Sequence, residues 1–322
     1  MPNLIKSQLL PAERTAVQQL LQAAMSQVVP KSKPYTAYIT RKTPSAMLFL
    51  IDQSGSMDAE IVFQGQTTTK AQAVALTLNT LLDEILNRCN REGELREYFQ
   101  IGIIGYGNQD EDAYSAWQGA LKGKAFVGMS QLRDHYLSII QTTEEQTIRG
   151  RMIVSQKPVR EWITPQSGGL TPMKAALDLA ADWLEQWIVA LEDKDCYPPI
   201  VINITDGEAT DGDDTELLQA ARRIKTLHTA DGNVLLFNVH LSDTEHTPVL
   251  FPQNSDELPE DNYAQLLYRM SSEMPALYNT DIARLTQKDL RGAYTGMAFN
   301  ANIKALVYFL QIGTTTSMGR TK

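Results

Sequence analysis

Continuous apolar runs that alternate with amphipathic segments constrain the fold of this chain more than any other feature. Ala46–Ile51 is wholly apolar, and Ile200–Thr205 is nearly so. Strands of this kind are typical of a sheet covered on both faces, because a strand with one face in water alternates apolar and polar residues. The predicted strands are 46–51, 99–106, 200–205 and 233–241, and the predicted helices are 70–90, 172–191 and 215–228. The sequence therefore predicts an α/β fold, a doubly wound and mostly parallel sheet with helices on both faces.

Oxygen-bearing side chains stand where the predicted strands end. Asp52, Ser54 and Ser56 follow the first strand, Asp206 follows the third, and Thr171 opens the helix before the third. In a doubly wound sheet the carboxyl ends of the strands, near the switch in strand order, form the usual ligand crevice. Two carboxylates and three hydroxyls, with no His or Cys among them, suit a hard cation such as Mg²⁺ or Mn²⁺. These five residues are the predicted metal site.

The order and context of the five residues resemble the von Willebrand factor A (vWA) domain with its metal-ion-dependent adhesion site (MIDAS). The family pattern is Asp-x-Ser-x-Ser, a distant Thr and a distant Asp, and all five positions match. The Gly-Gly-Leu-Thr-Pro-Met and Ile-Thr-Asp-Gly contexts are also typical, and the resemblance covers about residues 45–242 and the helical end at 302–312. It implies that the hydroxyls bind the cation, that the carboxylates act largely through waters, and that a partner's Asp or Glu fills a remaining coordination position.

Other segments resemble more particularly a bacterial intracellular subgroup of vWA proteins, which includes tellurium-resistance-like and phage-defence proteins. They are Asn203–Glu208, Leu235–Asn238, Phe299–Ala301 and Phe309–Thr314. Members of such groups often accompany a protein kinase and a metal-dependent phosphatase, or an AAA+ ATPase. The resemblance implies a scaffold or regulatory subunit in a stress-response or defence system, with one of these proteins as its partner.

Each predicted ligand also has an ordinary structural interpretation. Ser54 and Ser56 can cap a turn, Thr171 is a good N-cap for the helix that follows it, and Asp206-Gly207 is common turn chemistry. The occurrence of all five in the family's order favours the metal site.

The acidic run after Asp206 has two interpretations. It comprises Glu208, Asp211, Asp213 and Asp214. One interpretation is a second cation site. The favoured one is that these carboxylates line the mouth of the first site and stabilise the N-terminus of the helix from Thr215 through its dipole.

A binding module competes with a metal-dependent hydrolase, in which the cation polarises a phosphoryl or carbonyl oxygen and activates water. The sequence places no obvious base beside the predicted ligands, so a non-enzymatic role with no catalytic residue is favoured. Glu208 is the best candidate base in the alternative. The histidines, which are His135, His228, His240 and His246, are dispersed and are predicted to be ordinary residues. The glycines at 102–107 and 119–123 do not form a nucleotide-binding motif.

Charge and composition limit the classes of partner and the location that the sequence allows. A net charge of −9 argues against a nucleic-acid backbone as a partner, since such binding depends on clustered Lys and Arg. No apolar run approaches the ~18 residues of a membrane span, and no signal-like segment opens the chain, so a cytoplasmic location without membrane contact is expected. Cys89 and Cys196 have no metal-binding spacing and are predicted to be reduced thiols.

The predicted domain organisation is an N-terminal helix and connector (1–44), one vWA-like domain (45–313) and a polar, mobile tail (314–322). The helix at 12–29 either packs on its own domain, which we favour, or serves as a docking arm. The domain carries an elaboration at about 108–166, with strands at 125–129, 146–154 and 159–164, and an acidic Pro-containing loop at 244–261. Two further helices are predicted at 263–274 and 302–312.

Overall fold

The computed structural model describes residues 33–108, 112–148, 151–192, 195–242 and 247–318, together with Gln19 and Thr321. Its centre is an eight-stranded sheet with helices on both faces, as the sequence predicts. The strands of this sheet are β1 (Ser45–Asp52), β2 (Phe99–Tyr106), β3 (Ala113–Ser115), β4 (Val127–Gly128), β5 (Ile200–Thr205), β6 (Leu235–Leu241), β7 (Val249–Leu250) and β8 (Met297–Ala301). The α-helices are α1 (Lys70–Cys89), α2 (Met129–Asp134), α3 (Met173–Ala190), α4 (Asp214–Thr226), α5 (Asn262–Met270), α6 (Asn279–Thr286) and α7 (Ile303–Met318).

The structure also contains short two-stranded hairpins and single turns of 3₁₀ helix. Within the described residues, the two-stranded hairpins are 60–63 with 66–69, 90–91 with 94–95, 138–148 with 151–161, and 228–229 with 232–233. Single turns of 3₁₀ helix lie at Gly55–Asp58, Gly119–Leu121, Ser255–Glu257 and Ala276–Tyr278.

The strand order places a switch point between β1 and β5. The order is β7-β8-β6-β5-β1-β2-β3, with β4 also paired to β2. The five central strands are parallel, and the short edge strands are antiparallel. The chain moves from β1 to β2 on one side and later returns to β5 on the other side of β1. The crevice expected at such a switch therefore lies beyond the carboxyl ends of β1 and β5.

Burial on both faces explains why β1 is apolar along its whole length. Met47 and Phe49 pack in a core with α1 and α7, whereas Leu48 and Leu50 pack in a second core with α3, α4 and α5. Successive side chains of a strand point to opposite faces, so a strand between two helical layers needs apolar residues at every position.

The elaboration at 108–166 differs from its prediction. The strands predicted at 146–154 and 159–164 lie largely in β-structure but have the wrong bounds, because 138–148 and 151–161 form one long antiparallel hairpin outside the central sheet. The apolar signal at 159–164 instead reflects packing against α1, where Val159 and Trp162 are buried. Asn79 of α1 fixes this segment: its side chain accepts from Trp162 N–H at 2.9 Å and donates to Ile163 O at 2.8 Å. The predicted strand at 125–129 is shortened to β4, since α2 begins at Met129.

The C-terminal half also departs from the predicted boundaries. The helix predicted at 263–274 ends at Met270, because Ser272 donates its N–H to Leu236 O beside β6 at 2.7 Å. The last helix continues from 312 to Met318, past the start of the predicted mobile tail, and Thr321 bridges to Ile39. The loop predicted at 244–261 contains β7 and a 3₁₀ turn.

Residues before β1 belong to the same core. The predicted helix at 12–29 lies outside the described residues except for Gln19. The described part of the predicted connector packs on the domain, since Ala37 and Ile39 are buried.

Cys89 and Cys196 are both buried and form no disulfide, as predicted. Burial raises the pKa of the Cys89 thiol to about 12, so this sulfur is chemically inert at neutral pH. Among the described helices, none combines the length and apolarity needed to cross a bilayer.

Candidate functional site

Hydrogen bonds join four of the five predicted ligands beyond the ends of β1 and β5. The Ser54 and Ser56 hydroxyl oxygens lie 3.0 Å apart, and Ser56 donates to Asp206 Oδ1 at 2.6 Å. The Ser54 N–H donates to Asp52 Oδ1 at 2.9 Å. Ser56 is exposed, so the cluster is open to solvent on that side.

Asp52 is fully buried and shares its other oxygen with a residue that sequence analysis did not select. Thr205, the last residue of β5, donates its hydroxyl to Asp52 Oδ2 at 2.8 Å. Burial raises the pKa of Asp52 to about 6, although the hydrogen bonds from Ser54 and Thr205 act in the opposite direction. The carboxylate is therefore held in place and is costly to ionise without a compensating positive charge.

This pKa predicts an unusual pH dependence for the cation-free protein. The folded-state pKa, about 6, lies above the ordinary value of 3.8, so Asp52 stabilises the fold most below pH 3.8 and loses that contribution as pH rises through 6. We expect the free energy of unfolding of wild type, relative to Asp52→Asn, to fall by roughly 2 kcal/mol between pH 4 and pH 7. Urea unfolding in EDTA measures this difference; parallel pH profiles for the two proteins would contradict it.

Thr171 lies on a loop that is tied to the Asp52–Ser56 turn through backbone atoms. Gly55 N–H donates to Gly169 O at 3.2 Å, and Gly168 N–H donates to Gln53 O at 2.8 Å. The backbone of Thr171 bonds to Thr210 in both directions, at 3.0 and 2.9 Å. Thr171 is a buried residue, and its side-chain hydroxyl makes no hydrogen bond to any described residue, so this oxygen is available to a ligand.

The capping interpretation of Thr171 is wrong. The residue at the N-cap of α3 is Pro172, and no side chain at that position accepts from the helix. Asp211 performs the task instead, accepting from the N–H groups of Lys174 and Ala175 at 3.0 and 2.8 Å. A carboxylate at a helix N-terminus satisfies open N–H groups and is favoured by the helix dipole.

The acidic run serves helix ends. Asp213 caps α4 by accepting from Glu216 N–H at 2.9 Å, and the Glu216 side chain accepts from Asp213 N–H at 3.1 Å. This agrees with the helix N-terminus part of the favoured interpretation, with the addition that Asp211 caps α3. Within the described residues, no group of three or more His, Cys, Asp or Glu side chains could hold a metal, so a cation site here depends on the hydroxyls.

Glycines allow the loops of the crevice to touch backbone to backbone. Gly107, which follows β2, has φ +109°, and a Cβ on it would lie 2.4 Å from Leu170 O. Gly169 has φ +69°, and its Cβ would lie 2.1 Å from Gly107 O. These glycines fulfil a packing requirement beside Thr171 and are not part of a nucleotide motif.

Lys70 is a second residue that sequence analysis missed. Its Nζ lies 3.0 Å from Asp206 Oδ2, and the side chains of Lys70 and Asp206 are 8% and 0% exposed. The pair spans 136 positions of the sequence, so no local pattern reveals it. The available signal was a lysine at the first position of a helix, where a cation opposes the helix dipole.

Aromatic residues form the wall beside Asp206. His240 stacks on Phe299 with ring centroids 4.5 Å apart and meets Tyr263 edge-on at 5.6 Å. Tyr263 donates its hydroxyl to Gly207 O. Burial lowers the pKa of His240, so it acts as a neutral wall residue, in agreement with its ordinary role in the sequence analysis. Glu208, the candidate base, is exposed.

Fold and site together define an α/β protein with an oxygen-lined crevice at the switch point of its sheet. The donors fit a hard cation: Ser54, Ser56 and Thr171 supply hydroxyls, and Asp52 and Asp206 supply the negative charge. No family model matches the sequence, and no curated protein matches it.

Solved structures to which this chain is similar include vWA domains. One is a von Willebrand factor type A protein from Catenulispora acidiphila, with 12% identity and a TM-score of 0.36, covering 67% of this chain and 43% of that one. Another is the vWF domain of the type V pili tip protein Mfa5 from Porphyromonas gingivalis, with 11% identity, a TM-score of 0.39, and coverage of 87% and 97%. A three-domain Mfa5 structure matches at 15% identity and a TM-score of 0.29, over 56% of this chain and 25% of that one. This chain thus spans less than half of the length of the Catenulispora protein.

Proposed function

We propose that this chain is a vWA-type interaction module that binds Mg²⁺ or Mn²⁺ at Asp52, Ser54, Ser56, Thr171 and Asp206, and captures an acidic residue of a partner protein through the cation. The observation that carries the proposal is the Thr171 hydroxyl. It belongs to a buried residue, bonds to no partner among the described residues, and sits on a loop that is hydrogen-bonded to Gln53 and Gly55. A structural threonine in this position would cap α3, and Asp211 already does so.

The hydrogen-bond directions support cation binding. Ser56 gives its proton to Asp206 and so accepts from Ser54, which leaves one lone pair of its hydroxyl oxygen for a cation. Asp52 is held by Ser54 and Thr205, so its position does not depend on the cation. When bound, the cation would supply the positive charge that attracts a partner's carboxylate, and neutral hydroxyl donors would leave that charge largely undiminished.

The partner and setting form the finer part of the proposal. A protein kinase, a metal-dependent phosphatase or an AAA+ ATPase is the partner class implied by the resemblance to defence-associated vWA proteins. We also propose a cytoplasmic location, since two buried thiols that form no disulfide are typical of a reducing compartment.

A pull-down from native lysate tests the proposal. We expect a protein to be retained by wild type in Mg²⁺, and to be lost in EDTA and with Thr171→Ala. Asp211→Ala is the matched control, because it removes the cap of α3 but no proposed ligand, and it should retain the partner. Replacing acidic residues of the captured protein should identify one whose loss abolishes retention. Equal retention in all conditions would reject the cation-dependent role.

We propose binding over hydrolysis, since hydroxyl ligands are poor at generating a metal-bound hydroxide. Turnover of p-nitrophenyl phosphate that requires Mg²⁺ and disappears in Glu208→Gln would overturn this preference. Glu208 is exposed, so the substitution has little effect on folding.

A further inference from the structure

Lys70 bonds to the candidate site through both its backbone N–H and its side-chain ammonium. Its N–H donates to Ala59 O at 3.0 Å, immediately after the 3₁₀ turn Gly55–Asp58 that carries Ser56. Its ammonium nitrogen lies 3.0 Å from Asp206 Oδ2. Asp206 thus uses one oxygen for Ser56 and the other for Lys70. The ammonium is therefore a fixed part of the charge around the crevice.

The needs of helix α1 do not explain this lysine. The helix end is already satisfied, because Thr69 and Gln72 form a reciprocal capping box with bonds of 3.2 and 3.0 Å. The first turn of α1 contains no acidic residue, and a cation there is opposed by the helix dipole. Burying an ammonium carries a further desolvation cost. The attraction between the ammonium and the Asp206 carboxylate offsets both penalties.

We infer that Lys70 sets the cation affinity of the site by acting as a built-in counter-ion to Asp206. This inference rests on the proposed function, because it concerns the same cation. With Lys70 present, the two carboxylates and the ammonium together carry one negative charge, and the ammonium repels an incoming divalent cation. A partner carboxylate restores the missing negative charge. Cation and partner therefore bind together, and the cation alone binds weakly.

Titration with Mn²⁺, followed by electron paramagnetic resonance, tests this role directly on the full chain. Lys70→Met and Lys70→Gln should bind Mn²⁺ at least tenfold more tightly than wild type, and Lys70→Arg should stay within about threefold of wild type. Lys174→Met is the matched control: it removes the same formal charge from a partly exposed pair with Asp178. Screening by solvent limits its expected effect to about twofold.

Lys70→Gln protects the test against misfolding, because its amide can still donate to Asp206 Oδ2. Equal or weaker Mn²⁺ binding by Lys70→Met and Lys70→Gln, with binding still abolished by Thr171→Ala, would overturn the counter-ion role and leave the cation site intact. Absence of Mn²⁺ binding in wild type and in every Lys70 variant would overturn both proposals. Binding by the Lys70 variants alone would support the inference in its strongest form.

Discussion

Replacement of Thr171 by Ala is expected to weaken Mn²⁺ binding about 100-fold and to change the free energy of unfolding by less than about 1 kcal/mol. The hydroxyl contacts no described hydrogen-bond partner, whereas the backbone bonds of Thr171 to Thr210 survive the substitution. Mn²⁺ titration and urea unfolding of the same preparations measure the two quantities.

Asp211→Ala should show the opposite pattern. Loss of its two bonds to the N-terminus of α3 should cost about 1–2 kcal/mol of stability, with Mn²⁺ affinity nearly unchanged. The comparison separates a ligand from a helix cap within one loop cluster. If Thr171→Ala lost stability as Asp211→Ala does and bound Mn²⁺ normally, Thr171 would be a structural residue.

The second large effect concerns the contact between the loops that follow β2 and precede α3. Gly107→Ala and Gly169→Ala are each expected to lower the free energy of unfolding by about 3 kcal/mol or more. Each adds a left-handed backbone penalty of about 1 kcal/mol and a methyl group within 2.4 Å of a backbone oxygen. Separating the loops should also displace Thr171 and weaken Mn²⁺ binding.

Gly65→Ala measures the cost of the left-handed backbone alone. Gly65 has φ +76°, but apart from its chain neighbours no heavy atom of the described residues lies within 4 Å of the position its Cβ would take. Gly65→Ala should therefore lower the free energy of unfolding by only about 1 kcal/mol. Similar losses for Gly65→Ala and Gly107→Ala would mean that the loop contact is not tight, and that the crevice tolerates movement there.

The strands and helices that frame the crevice were predictable because burial leaves a continuous local pattern. Ala46–Ile51 is apolar at every position since helices cover both faces of β1. The hairpin 138–161 was not predictable in this way, because its first strand includes Gln141, Thr142 and Thr143, and its ladder needs no apolar run. Its two strands pair with each other to form one hairpin, where two separate strands were predicted.

At the site, too, some features could be predicted from the local sequence and others could not. The five oxygen donors follow strand ends or open a helix, so topology alone predicts their proximity. The partners of these donors come from distant positions and carry no such signature. Lys70 meets Asp206 across 136 positions, and Asp211 takes the cap of α3 from 37 positions away. Pairings of this kind depend on how loops fold over the sheet edge.

The adjacent pairing of β1 and β5 also bears on how far the rest of the chain can be altered. Ile51 is in register with Ile204, so Asp52 and Asp206 start from neighbouring rungs of one ladder, whose strands are spaced about 4.8 Å apart. The separation of the two carboxylates is thus a property of the sheet and does not depend on loop length. The turn of the hairpin 60–69 can therefore accept inserted sequence, such as a tag or a small domain, while the spacing of these acids stays fixed.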